Sequence, residues 1–153
     1  MKKIKLITIY VMGLLYILVG IKHFTDPKLF MCIVPPQLIF KKFIVIISGL
    51  VEIVLGCMLI SKKTRKIAGI GIIILLISIF PANIYLFISE TARIDFGKAT
   101  GKEITELDAL IRMPYQIPLM VLAFWHSKEN NTNIFSIICI VIFIPTIIYF
   151  ISL

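Results

Sequence analysis

The sequence predicts an all-α membrane protein, a four-helix transmembrane bundle with a fifth hydrophobic helix at the C-terminus. Three observations predict it. Hydrophobic residues make up 59% of the 153, against roughly 45–50% apolar residues in soluble domains, and the mean hydropathy is +1.04. Five stretches approach or reach the roughly 17–25 residues needed to cross the hydrocarbon of a bilayer. The basic residues fall in short intervals between those stretches rather than on one soluble face.

The first stretch, Ile4–Ile21, has a basic start in Lys2, Lys3 and Lys5. A basic start and an apolar run also describe a secretory signal, but no small-residue cleavage pattern follows Gly20, and four more spans lie downstream. Between spans one and two, Phe24, Leu29, Phe30, Met31, Ile33, Val34, Leu38, Ile39 and Phe40 make an apolar segment cut into stiff pieces by Pro27, Pro35 and Pro36. Such a segment is expected along the membrane interface, as an anchor or as a lid over the bundle mouth. Span two, Phe43–Ile60, ends at the Ser61–Lys66 loop, which carries Lys62, Lys63, Arg65 and Lys66. Span three, Ile67–Ile88, contains Pro81. An acidic interval, Glu90–Ala109, reads as a loop, and Leu110–Trp125 reads as a short fourth span with two prolines. The fifth, Ile134–Leu153, has no charge and looks like a packing or dimer surface. Residues 1–126 form the expected bundle, and 127–153 add a helix to the same domain.

The positive-inside rule puts the N-terminus and the Ser61–Lys66 loop in the cytoplasm and the C-terminus outside. Lys28, Lys41 and Lys42 in the first outer loop run against that orientation. The net charge of +8 is topological in this pattern and points to no nucleic-acid partner. His23 falls at the outer end of span one and His126 at the inner end of span four, so opposite membrane faces separate them and they cannot share a metal or haem, and no carboxylate cluster has ligand spacing. No metal site is therefore expected. Cys32, Cys57 and Cys139 form no C-x-x-C pair and read as small hydrophobes. A phosphate loop, a dinucleotide fingerprint and a nucleophile with an evident base are all missing, so no cofactor is evident.

Glu52 is the anomaly in this pattern. A charge in the middle of a spanning helix is unfavourable by about 2.5–3.5 kcal/mol on insertion scales, so it needs a partner, a wet cavity or a function. Gly49 and Gly56 flank it at helical spacing, and Gly13, Tyr16, Gly20 and His23 make a matching stripe on span one. Span three offers Asn83 beside Pro81, whose ring leaves the Ile77 carbonyl without its helical donor. Span four offers Arg112 and Gln116, four apart on one face. Counted from the span ends, Glu52, Arg112, Asn83, Gln116 and His23 are expected to converge on the outer half of the bundle as a ligand-binding or buried polar cluster.

The ordered set Gly20, His23, Phe24, Pro27, Phe30, Pro35, then Ser48, Gly49, Glu52, Gly56, then Arg65, then Pro81, Ala82, Asn83, then Arg112, Pro114, Gln116 and Trp125 resembles the DoxX family of small bacterial membrane proteins over Tyr10 to His126. That resemblance implies a four-helix bundle in the bacterial plasma membrane and an association with quinone-linked oxidoreductase systems. The fifth span departs from it.

Two functions follow as expectations. In one, the outer pocket binds a quinone or similar apolar carbonyl compound alongside a partner oxidoreductase subunit, with Arg112, Asn83 and His23 as donors and Glu52 handling the proton. In the other, a non-enzymatic bundle uses Glu52 and Arg112 as a buried ion pair that fixes helix register, and binds a lipid, a small apolar ligand or nothing. Beyond the lipid bilayer, the expected contact is a homodimer through the Ile134–Leu153 helix.

Overall fold

A computed structural model describes the backbone of residues 2–152 and the side chains of 2–150, so Leu153, the end of the expected fifth span, lies outside the described residues. These residues are helical and include no strand: α1 (Lys2–Thr25), α2 (Pro27–Met31), α3 (Lys41–Ile60), α4 (Arg65–Ile88), α5 (Glu90–Thr100), α6 (Glu106–Ser127) and α7 (Asn133–Ser152). Five of them, all except α2 and α5, are long and apolar enough to cross a membrane, the pattern of a multi-pass membrane protein. Their outward faces are apolar, with Ile7, Leu14, Leu50, Val54, Ile70, Ile74, Ile117 and Val141 all exposed. That is what lipid-facing helices require, because lipid tails are as apolar as leucine.

Glycine sets how closely the spans approach. A Cβ added at Gly20 would lie 2.6 Å from the Gly49 carbonyl oxygen, and one at Gly56 would lie 2.7 Å from that of Gly13. The four glycines recur at steps of seven on two antiparallel helices, so α1 and α3 run with their backbones almost touching. Gly69 does the same for α4 and α6, its added Cβ falling 2.6 Å from the Ala123 carbonyl oxygen. Between the two pairs, α3 meets α4 where Leu55 fills the space beside Gly71. The core built by this arrangement includes Met12, Tyr16, Leu59, Ile72, Leu76, Leu119 and Leu122.

Helix ends account for the differences from the expected elements. The acidic interval is not a plain loop: Ser89 accepts a hydrogen bond from the Ala92 amide at 3.2 Å, and Gly101 closes α5 with a φ of 69°. Helix α6 begins at Glu106 rather than Leu110, because Thr105 and Asp108 form a reciprocal capping box. Pro114 and Pro118 lie within it without ending it. The apolar segment after α1 folds into the single-turn helix α2, whose Leu29 packs with Cys32, Ile33, Leu86, Ala92, Phe96 and Ala109. Helices α2 and α5 thus pack together across one end of the bundle. Cys32 donates to the Leu29 carbonyl at 2.9 Å, and burial pushes its thiol above the usual range, so it is a packed, inert group.

Helix α7 lies against α6 and α1. Trp125 donates to the Ser136 hydroxyl at 3.3 Å, Tyr115 stacks on Tyr149 at 3.9 Å, and Cys139, Phe143 and Ile147 enter the core. Its opposite face remains apolar and exposed.

Gly20→Ala is expected to destabilise the protein by about 1–3 kcal/mol, the usual cost of overpacking, because the added methyl group meets backbone. Gly71→Ala meets only the tip of the Leu55 side chain and is expected to cost less. Thermal unfolding of the two variants in one detergent checks the order.

Candidate functional site

The α1–α3 contact carries His23 to Glu52. His23 lies over Gly49, near the end of α1, while the Cα of Glu52 is about 17 Å along α3 from Lys41 at 1.5 Å per residue. That is close to the middle of the helix, yet both side chains lean toward the N-terminus of their own helix. In an antiparallel pair they therefore lean toward each other, and His23 Nε2 lies 3.4 Å from Glu52 Oε2 with both side chains buried.

The surrounding groups fix the imidazole. His23 Nδ1 is 2.8 Å from the Val45 carbonyl oxygen, and a carbonyl can only accept, so Nδ1 carries a hydrogen. Ser48 Oγ lies 3.1 Å from the same nitrogen and donates its own hydrogen to the Val45 carbonyl at 2.9 Å. Phe30 of α2 stacks on the ring at 3.6 Å with the planes 28° apart. With Nδ1 committed as a donor, the pair is neutral overall only if one proton in total is held, on either Nε2 or the Glu52 carboxyl. Burial favours that arrangement, because removing either partner leaves an uncompensated charge in a dry site.

Valences are left over nearby. Glu52 Oε2 and the Tyr16 hydroxyl are both buried without a hydrogen-bond partner, and the Gly20–Gly49 and Gly13–Gly56 register sets Tyr16 about level with Glu52. Tyr16 occupies the same α1 stripe as Gly20 and His23, the signal by which it could have been added to the expected set. Phe30 had no such signal within an apolar loop.

Span four's polar residues go elsewhere. Gln116 Nε2 donates to the Leu76 carbonyl at 3.4 Å, one residue before the Ile77 carbonyl that Pro81 leaves without its helical donor. The Gln116 Oε1 is buried without a partner. Asn83 is half-buried. The Arg112 guanidinium lies 4.8 Å from the centre of the Phe96 ring of α5, with Nη1 buried and unpartnered. The expected Glu52–Arg112 ion pair does not form: the basic group within 4.0 Å of the Glu52 carboxyl is His23. The physical reason is the helix pairing. Glycine holds α3 against α1, so Glu52 meets the basic group of that neighbour, while Arg112 on α6 is drawn under α5 by an aromatic face.

The register of contacts places these groups in one half of the bundle. Gly20–Gly49 aligns α1 with α3, Leu55–Gly71 aligns α3 with α4, and Leu76–Gln116 aligns α4 with α6. His23, Arg112 and Asn83 accordingly lie toward the end where α1 stops and α3 begins, with Glu52 and Gln116 deeper.

A second polar group at the opposite end was not anticipated. Thr8 Oγ1 lies 3.0 Å from His126 Nε2, and Lys5 donates to the Lys128 carbonyl at 2.5 Å while sitting 5.4 Å from the Trp125 ring. Arg65 caps the C-terminus of α3 through the Leu59 and Ile60 carbonyls, both at 3.0 Å. Thr8 and His23 are about 22 Å apart along α1, so the two histidines are separate sites.

Residues 12–127 match the family described as a domain of unknown function (DUF8561). The chain belongs to the DUF8561 family. The matched DUF8561 segment contains His23, Glu52, Asn83, Arg112, Gln116 and His126 and stops where α6 ends, before α7. No curated protein and no solved structure matches the chain.

A double-mutant cycle checks the pairing. His23→Leu or Glu52→Gln alone is expected to destabilise by about 3–5 kcal/mol, the usual cost of breaking a buried pair, with the double variant recovering part of the loss. Glu52→Gln and Arg112→Met are expected to add independently.

Proposed function

We propose that this is a DoxX-like integral protein of the bacterial plasma membrane, with its N-terminus cytoplasmic and C-terminus outside, whose bundle binds the head of a quinone or similar apolar carbonyl compound. The observation that carries this reading is the His23–Glu52 pair: two buried groups whose facing atoms lie 3.4 Å apart without a hydrogen bond between them, so that Glu52 Oε2 is unpartnered beside the unpartnered Tyr16 hydroxyl. Unpartnered buried polar atoms are uncommon and call for an explanation, and a ligand that hydrogen-bonds to them is one. A carbonyl oxygen placed there accepts from the Tyr16 hydroxyl and from the carboxyl of Glu52. Reduction of such a carbonyl compound consumes protons as well as electrons. For a quinone the two-electron reduction takes up two protons: the pair supplies one, water supplies the second and later reprotonates the pair, and a partner oxidoreductase subunit supplies both electrons.

The second reading keeps the bundle non-enzymatic, a lipid or small apolar ligand binder in which the pair fixes the register of α1 and α3. It is favoured by the seating of His23 directly over Gly49. The register pair in this reading is Glu52–His23, not Glu52–Arg112. For assembly, the exposed α7 face of Ile137, Val141, Ile144 and Ile148 is the surface assigned to a homodimer.

Titration of the purified chain with a short-chain naphthoquinone separates the readings. Saturable binding is expected, weakened about tenfold in Tyr16→Phe, equivalent to roughly 1.4 kcal/mol for one lost hydrogen bond, and more strongly in Glu52→Gln. Unchanged binding in both variants, with only the melting temperature lowered in Glu52→Gln, sinks the quinone reading and leaves the register pair.

A further inference from the structure

The start of α3 holds a groove that the His23–Glu52 reading does not use. Its volume is about 660 Å³, and Met31, Ile39, Phe40, Lys41, Lys42 and Phe43 line it. Three of those apolar side chains are far out in the open, Ile39 at 87%, Phe40 at 72% and Phe43 at 66% exposure. The groove lies where a spanning helix begins, the level at which hydrocarbon gives way to headgroups.

Charge gives the groove its second property. Lys41 and Lys42 open α3, no acidic residue occupies its first turn, and Phe40 at the N-cap supplies no side-chain hydrogen bond. Two cations at the positive end of a helix are unfavourably placed, because an N-terminus favours anions. No carboxylate lines the groove, and neither lysine has an acidic partner within 4.0 Å. Phe40 and Phe43 border the same space as the lysines, so an occupant needs an acyl chain or similar apolar body joined to an anionic head.

We infer that this groove binds an anionic phospholipid, its phosphate against Lys41 and Lys42 and its acyl chain along Ile39, Phe40 and Phe43. The site is independent of what the His23–Glu52 pair does. It also reaches α2 through Met31, the neighbour of the Phe30 that stacks on His23.

Native mass spectrometry of the full chain, released from detergent in an equal mixture of phosphatidylglycerol and phosphatidylcholine with matched acyl chains, tests the inference. The expected spectrum has a phosphatidylglycerol adduct in clear excess. Lys41→Gln and Lys42→Gln are each expected to lower that excess about fivefold, the scale of one basic residue near anionic lipid. The double Lys→Arg variant is expected to keep it, and Lys62→Gln with Lys63→Gln at the other end of the bundle to leave it unchanged. Equal adducts in the wild type, an excess that survives Lys41→Gln with Lys42→Gln, or an equal loss in the Lys62 and Lys63 control would overturn it. Displacement of the adduct by inorganic phosphate alone would assign the lysines to a free anion and overturn it too. An adduct excluded from a dimer but present on the monomer would give the groove to a second copy and overturn it in the same way.

Discussion

The close approach of α1 and α3 through Gly13, Gly20, Gly49 and Gly56 is the constraint on which the rest of the structure depends. In lipid there is no hydrophobic force to press two apolar helices together, so close backbone packing has to supply the association. Glycine permits that packing, and the register it imposes decides which polar groups meet. His23 is seated over Gly49, and Glu52, one turn further along α3, leans back to reach it. The carboxylate that would otherwise be unfavourable in a lipid-spanning helix thereby faces the interior and a basic partner.

A second layer of organisation covers the same end of the bundle. Helices α2 and α5 are too short to span, but they pack together through Leu29, Ala92 and Phe96, joined by Ile33 just after α2. Each sets an aromatic ring on a polar side chain of the bundle, Phe30 on His23 and Phe96 on Arg112. The apolar segment between spans one and two therefore acts as a cover that touches the site directly. At the other end no comparable cover is needed, because Arg65, Lys5 and Asn131 satisfy the terminal carbonyls of α3 and α6 and of the segment after α6.

The two ends differ in how their polar atoms are satisfied. At the His126 end the capping groups make most of their bonds within the protein, although His126 Nδ1 keeps a free valence. In the half that holds His23, the Tyr16 hydroxyl, Glu52 Oε2, Arg112 Nη1 and Gln116 Oε1 are all buried without partners. A bundle maintained for packing alone would gain stability by replacing such groups with apolar ones. Their concentration in one half is the reason the functional reading is centred there.

The sequence by itself determined the all-α class, the five helices long enough to span a membrane, and the polar residues worth following, because run length, glycine spacing and an isolated carboxylate are local signals. It missed α5 because charge in the acidic interval masked a helix that Ser89 and Gly101 bound at its two ends. It placed the start of α6 too late, since the Thr105–Asp108 box is a subtler signal than hydropathy. Only the tertiary structure decided which partner Glu52 takes. Position along a span gives the depth of a side chain but not which neighbouring helix it faces, and Arg112 and His23 are alike in depth. Helix pairing separates them: glycine brings α1 against α3, and Phe96 draws Arg112 beneath α5, so the salt bridge that charge alone would favour gives way to the histidine that backbone packing delivers.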